Sequence, residues 1–233
     1  MALRIEKTAC ILIVSAAILT AQDLTFQARH AHLRKGGAGT LTFTDNTVKW
    51  DEPGKSHDHS QVWTYEQIQR LELAPDHVRL VTYEDIHWQL GRDRAFLFDH
   101  LPPDLASRVY PFLIAKLDQR FLAHVPDPSV EPIYETPSKL LLGRAGSNGI
   151  LKIGLDRITF NGGDRGESRT WRYSDITTVS SANPFDLTLA TLECENRIQL
   201  KRALPEATYN ELWRRISEAN GLKTYNAQVA HAH

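Results

Sequence analysis

Histidine is the side chain whose spacing in this chain comes nearest to chemistry. "RHAHL" holds His30 and His32, "SHDHS" holds His57 and His59, and "AHAH" holds His231 and His233. Two histidines at i and i+2 of a strand point to the same face. Such a pair can chelate zinc or copper through neutral imidazole, so His30, His32, His57 and His59 could together supply four ligands. The plainer reading stands beside it. His57 and His59 sit with Lys55, Asp58 and Ser60 in a polar stretch that accepts histidine without a ligand.

Other chemistries leave no mark. The chain has no G-x-S-x-G elbow, no H-E-x-x-H, no P-loop and no paired cysteine motif. Asp51, Glu52, Glu84 and Asp85 fall at turn positions and read as solvated charges rather than acid–base pairs. The glycine-rich runs Gly36–Gly39 and Gly143–Gly149 precede strands, not helices, so no helix N-terminus awaits a phosphate there. They read as flexible turns. The expectation is a non-enzymatic protein without a cofactor. Charge is balanced, 27 basic residues against 28 acidic, which excludes a global field holding nucleic acid or an anionic membrane.

Before the elements that position these residues can be read, the N-terminus must be set aside. Arg4 and Lys7 precede an apolar run from Thr8 to Ala21, and polar Gln22 and Asp23 follow. A positive region, a short apolar run and a small boundary residue make a secretory signal peptide over 1–21. The run is shorter than the roughly 18 to 20 residues of a spanning helix. An exported protein, periplasmic or extracellular, is expected. Cys10 lies in that segment and Cys194 alone remains, so no internal disulfide can form and stability must come from apolar cores.

The rest of the chain says the same thing twice. "VWTYEQI" (Val62–Ile68) returns as "TWRYSDI" (Thr170–Ile176), with Trp63, Tyr65 and Ile68 matching Trp171, Tyr173 and Ile176. "GTLTFTDNTVKW" from Gly39 returns as "GILKIGLDRITF" from Gly149, Leu41 matching Leu151 and Trp50 matching Phe160. Each piece alternates apolar and polar residues around a turn, the pattern of a hairpin with one buried face. Trp and Tyr, two residues apart, fall on one face of the next strand and are expected in the core. "RLVTY" and "AFLF" in the first copy correspond to "LTLATL" and "RIQL" in the second, and the first has an extra piece, "IHWQL" (Ile86–Leu90).

Each copy ends on a helical pattern. Leu105, Val109, Leu113 and Leu117 fall at four-residue steps, with Pro111 inside and the helix running to about Phe121. Tyr209, Leu212, Trp213 and Ile216 share a face of the second, which Gly221 should stop. "HVPDPSVEP", with three prolines, reads as a stiff linker.

This order resembles the pleckstrin-homology-like superfamily, in particular GRAM-type and bacterial PH-like domains, on Gly39, Leu41, Trp63, Tyr65 and Ile68 and again on Gly149, Leu151, Trp171, Tyr173 and Ile176. The fold class implied is mainly β with α: two bent-sheet or barrel domains, 24–123 and 133–222, each closed by an amphipathic helix, with a linker at 124–132 and a tail at 223–233. The resemblance also suggests lipid headgroup binding. Arg34 and Lys35, and Lys139, Arg144 and Lys152, are too scattered for a basic cluster. Many PH-like domains bind proteins through a groove beside the helix or a strand edge instead. A protein or peptide partner at the cell envelope is the leading expectation. A metal- or small-ligand-binding envelope protein using the histidine pairs is the alternative.

Overall fold

A computed structural model describes residues 23–31, 37–53, 60–86, 89–117, 120–143, 145–163 and 167–230, with backbone only at 89–90 and 222–230. The chain is mainly β, with two α-helices among the described residues. The strands are β1 (Leu24–His30), β2 (Gly37–Phe43), β3 (Thr47–Asp51), β4 (Gln61–Thr64), β5 (Ile68–Leu73), β6 (Val78–Ile86), β7 (Gln89–Asp99), β8 (Arg120–Ala123), β9 (Tyr134–Leu142), β10 (Ala145–Ile153), β11 (Arg157–Asn161), β12 (Arg169–Arg172), β13 (Ile176–Ser180), β14 (Asp186–Thr191) and β15 (Glu195–Leu200). Helix α1 (Leu105–Ile114) follows β7 and α2 (Glu206–Ala230) follows β15.

All fifteen strands form one sheet, in the order β13-β14-β15-β9-β10-β11-β12-β8-β5-β6-β7-β1-β2-β3-β4. Within it the first seven strands run 5-6-7-1-2-3-4, and β9 to β15 repeat that order strand for strand. In each half the two outermost strands are consecutive in sequence. A three-residue 3-10 turn, Tyr65–Gln67 or Tyr173–Asp175, joins them. A link so short requires the two outermost strands of each half to approach each other at that end, so the sheet bends within each half. The Trp-Tyr-Ile stretch is therefore not one strand. Trp closes one strand pair, Tyr starts the turn, and Ile opens the next strand.

Each residue of the repeated pattern has a mechanical reason. Trp63 and Trp171 are 4% and 2% exposed. Each belongs to its own apolar cluster, one around Leu41, Val48, Trp50 and Leu80, the other around Leu151, Ile158, Phe160 and Leu189. Burying one such side chain contributes about 1.5 to 3 kcal/mol. The tyrosines tie down the preceding hairpin. Tyr65 Oη donates to Thr44 O at 2.8 Å and Tyr173 Oη to Gly154 O at 2.6 Å, each at the turn between the second and third strands of its half. Burial pushes both hydroxyls well above the usual tyrosine range. Gly39 and Gly149 are required by close approach. A Cβ at either would stand 2.7 Å from the ring of Trp50 or Phe160 and press on the backbone carbonyl of Asp51 or Asn161.

Five expectations need correction. The first helix does not reach Phe121: α1 stops at Ile114, three residues past Pro111, and Arg120–Ala123 is a strand. That strand satisfies its backbone by pairing parallel with β5, Arg70–Leu73 against Arg120–Ala123, and antiparallel with β12 at Thr170–Ala123. Gly221 does not stop the second helix, which continues to Ala230. Trp213 is 56% exposed, while Leu212 and Ile216 face the core. The glycine-rich runs are not turns throughout, because Gly37–Gly39 and Ala145–Gly149 are paired strand. The described residues of "IHWQL" are divided between two strands, Ile86 ending β6 and Gln89 and Leu90 beginning β7, instead of forming one of their own.

Candidate functional site

Beyond β8 the chain crosses from one half to the other, and the three prolines of "HVPDPSVEP" keep it out of helix and sheet. Backbone freed from regular pairing must find other partners. Asp127 supplies them. It is buried, and its Oδ1 accepts from the amide and the hydroxyl of Ser129 at 2.8 and 2.6 Å. Its Oδ2 accepts from Tyr110 Oη on α1 and from Arg157 Nη1 on β11, both at 2.8 Å. Its amide donates to Thr159 Oγ1 at 2.9 Å. Thr170 Oγ1 donates to Val125 O at 2.8 Å, so the 3.0 Å contact between the two threonine hydroxyls has Thr159 as donor. Burial alone would raise the Asp127 carboxyl. The Ser129, Tyr110 and Arg157 hydrogen bonds outweigh it and hold the carboxyl below its ordinary range. Burial, and the carboxylate beside it, push the Tyr110 hydroxyl up.

This network fixes the linker against one side of α1 and leaves a cleft of about 620 Å³ between them. Ala106, Tyr110 and Ile114 form one wall and Val125, Pro126 and Pro128 the other. The polar atoms at its edge are engaged with one another, so what the cleft offers a visitor is apolar surface. The opposite face of α1, with Leu105, Val109 and Leu113, is spent on the core.

A second cleft, of about 1050 Å³, opens on the other side of the same linker and shares Pro75 and Pro126 with the first. Its lining mixes apolar residues with polar ones, the latter including Glu72, Asp76, His77, His124, Ser147 and Glu167. His124 Nε2 and His77 Nε2 lie 3.3 and 3.4 Å from Glu72 Oε1. The hydrogen bond from His124, followed by the charges of both rings, brings the Glu72 carboxyl down to about 2.

The histidines expected from spacing fare differently. His30 closes β1 and is half-buried among aromatic rings, 5.3 Å from Phe98, 5.8 Å from Phe96 and 6.0 Å from Trp50 between centroids. His32, His57 and His59 lie outside the described residues, as do His231 and His233. Among the described residues no group of three or more His, Cys, Asp or Glu is placed to hold a metal ion. Cys194 is exposed with a free thiol, 3.6 Å from Arg169 Nη1. Trp63 and Trp171, expected in the core, lie there. His77 and His124 gave no sequence signal, being single histidines 124 − 77 = 47 residues apart.

No protein-family model matches the chain, and no curated protein does. Among solved structures it is similar to a chain of the Spt16D Pob3N heterodimer, with 14% identity over 73% of this chain and 84% of that one, at a TM-score of 0.34. It is also similar to the C-terminal domain of an unknown protein from Leishmania infantum, with 13% identity over 47% of this chain and 92% of that one, at a TM-score of 0.32. At those scores neither likeness says anything of what this chain does.

Proposed function

We propose that the chain is a non-enzymatic binding protein built of two PH-like units, exported by its N-terminal segment. In this reading it holds an apolar stretch of a protein or peptide partner in the cleft beside α1. What supports the two-unit reading is internal: seven strands in one order, twice, each set followed by a helix and each with its own apolar cluster. One observation carries the binding reading. The linker is fixed by a saturated polar network, so a cleft of about 620 Å³ stays open beside the helix with apolar walls and no free polar group demanding a particular reaction. A preformed cleft of that kind loses little entropy on binding.

Panning a random peptide library on the full chain tests this. Enriched peptides should be rich in apolar residues and should lose binding at least about tenfold on Ser107→Trp, which places a ring in the cleft from an exposed helix position. A library that yields no peptide preferring the unaltered chain over Ser107→Trp would end the reading.

A further inference from the structure

The prolines common to both clefts hang from one carboxylate. Pro75 lies in the β5–β6 turn, two residues before His77, and Pro126 lies two residues after His124. Glu72 Oε1, on β5, receives both imidazoles, at 3.3 Å from His124 and 3.4 Å from His77. The second ring nitrogen of His77 is already committed, with Nδ1 2.8 Å from Asp76 Oδ1. A neutral His77 that donates from Nδ1 to Asp76 turns only a lone pair toward Glu72. Only the doubly protonated ring donates to both carboxylates at once. The other charged groups around the cluster are Arg79, directly opposite Glu72 on β6, Arg70 on β5, Arg120 on β8, 3.8 Å from Glu193, and Glu167 from the second half. Short backbone bonds frame the cluster: Ala74 N–H to His77 O at 2.9 Å and His124 N–H to Leu73 O at 2.8 Å.

We infer that Glu72, His77 and His124 form an acid-set clamp that draws the β5–β6 turn and the linker together and so sets the width of the cleft between Pro75 and Pro126. Its consequence for binding rests on the peptide reading above; the clamp itself does not. The sign follows from the chemistry of the groups. Bridging Asp76 and Glu72 takes one proton more than the neutral His77 ring carries. Glu72 keeps its charge down to about 2, so the clamp is closed in mild acid and slackens in alkali. In an open, partly solvated cleft the two histidines remain within reach of protons, their side chains being 30% and 25% exposed.

Amide hydrogen exchange on the full chain, corrected for the intrinsic effect of pH, reads the clamp directly. The Ala74 and His124 amides should be protected about tenfold more at pH 5.5 than at pH 8.0. Amides in β2 and β3, which line neither cleft, should show no such difference. Glu72→Gln keeps the side-chain volume and should erase the difference, and His77→Gln should remove most of it. Equal protection at the two pH values, or a difference that survives Glu72→Gln, overturns the clamp. Because no ligand enters this measurement, its failure is separate from a failure of the peptide library.

Discussion

The two halves share a strand order and solve one problem differently. The strand that opens the second part of each half, β5 or β13, has a row of backbone groups on its outer side. In the first half α1 is short, and the chain turns back as β8, which pairs along β5. In the second half α2 is long and runs past the same edge. Asn220 Nδ2 donates to Ile176 O at 2.7 Å and Tyr209 Oη to Val179 O at 3.4 Å. One edge is covered by backbone, the other by side chains from a helix. The difference teaches that a shared fold leaves its edges free to be adapted: the half that offers its edge to a strand becomes the one that can be joined to a neighbour.

Cutting the halves apart tests that comparison most severely. A chain beginning at Ile133 keeps its own apolar cluster and α2 and is expected to unfold cooperatively in denaturant; a fragment without a transition makes the halves one folding unit. Next come the tryptophans. Trp63→Ala and Trp171→Ala should each cost about 3 to 5 kcal/mol by chemical denaturation. If one costs under about 1 kcal/mol, the two positions are not equivalent. Gly39→Ala and Gly149→Ala should each cost about 1 to 3 kcal/mol, since both drive a methyl into a ring and a backbone carbonyl.

Acid separates the halves, because Ser180 stands in β13 where Glu72 stands in β5 (180 − 108 = 72). The Glu72 carboxyl is depressed from 4.5 to about 2 in the folded chain. Its contribution is therefore complete above pH 4.5 and lost as pH falls toward 2. Glu72→Gln should remove about 1 to 3 kcal/mol of stability at pH 5.5 and little at pH 2, and thermal melts across that range read it. Smallest is the pair of tyrosine hydroxyls. Tyr173→Phe should cost about 1 to 1.5 kcal/mol, leaving Gly154 O unpaired in a buried place, and Tyr65→Phe about 0.5 kcal/mol, since the bond to Thr44 O is only partly buried.

The repeat was legible because each of its positions is a core or close-contact position, so the same physics selected the same residue types at offsets of 108 and 110. Strand β8 was not. Four residues after a helical pattern carry no period of their own, and both their partners lie far away in sequence. Trp213 was misplaced because it is adjacent to Leu212, and adjacent helical residues point about 100° apart. The Gly221 stop failed because glycine permits a helix end without compelling one. The histidine pairs drew attention by local spacing, whereas the cluster on Glu72 is assembled by a turn and a linker that only folding brings together.

Strand β8 joins β5 of one half to β12 of the other, so unlike edges meet. Such a join is heterologous: it has a direction and can be repeated, into a ring where the rotation closes and into an open array where it does not. A chain built on that rule could be lengthened unit by unit, each new unit adding its β12-type edge to the last β13-type edge. The helix that covers β13 is then a terminator as well as a lid. Its asparagine and tyrosine occupy the carbonyls an incoming strand would need, and the second unit ends the series that the first one begins.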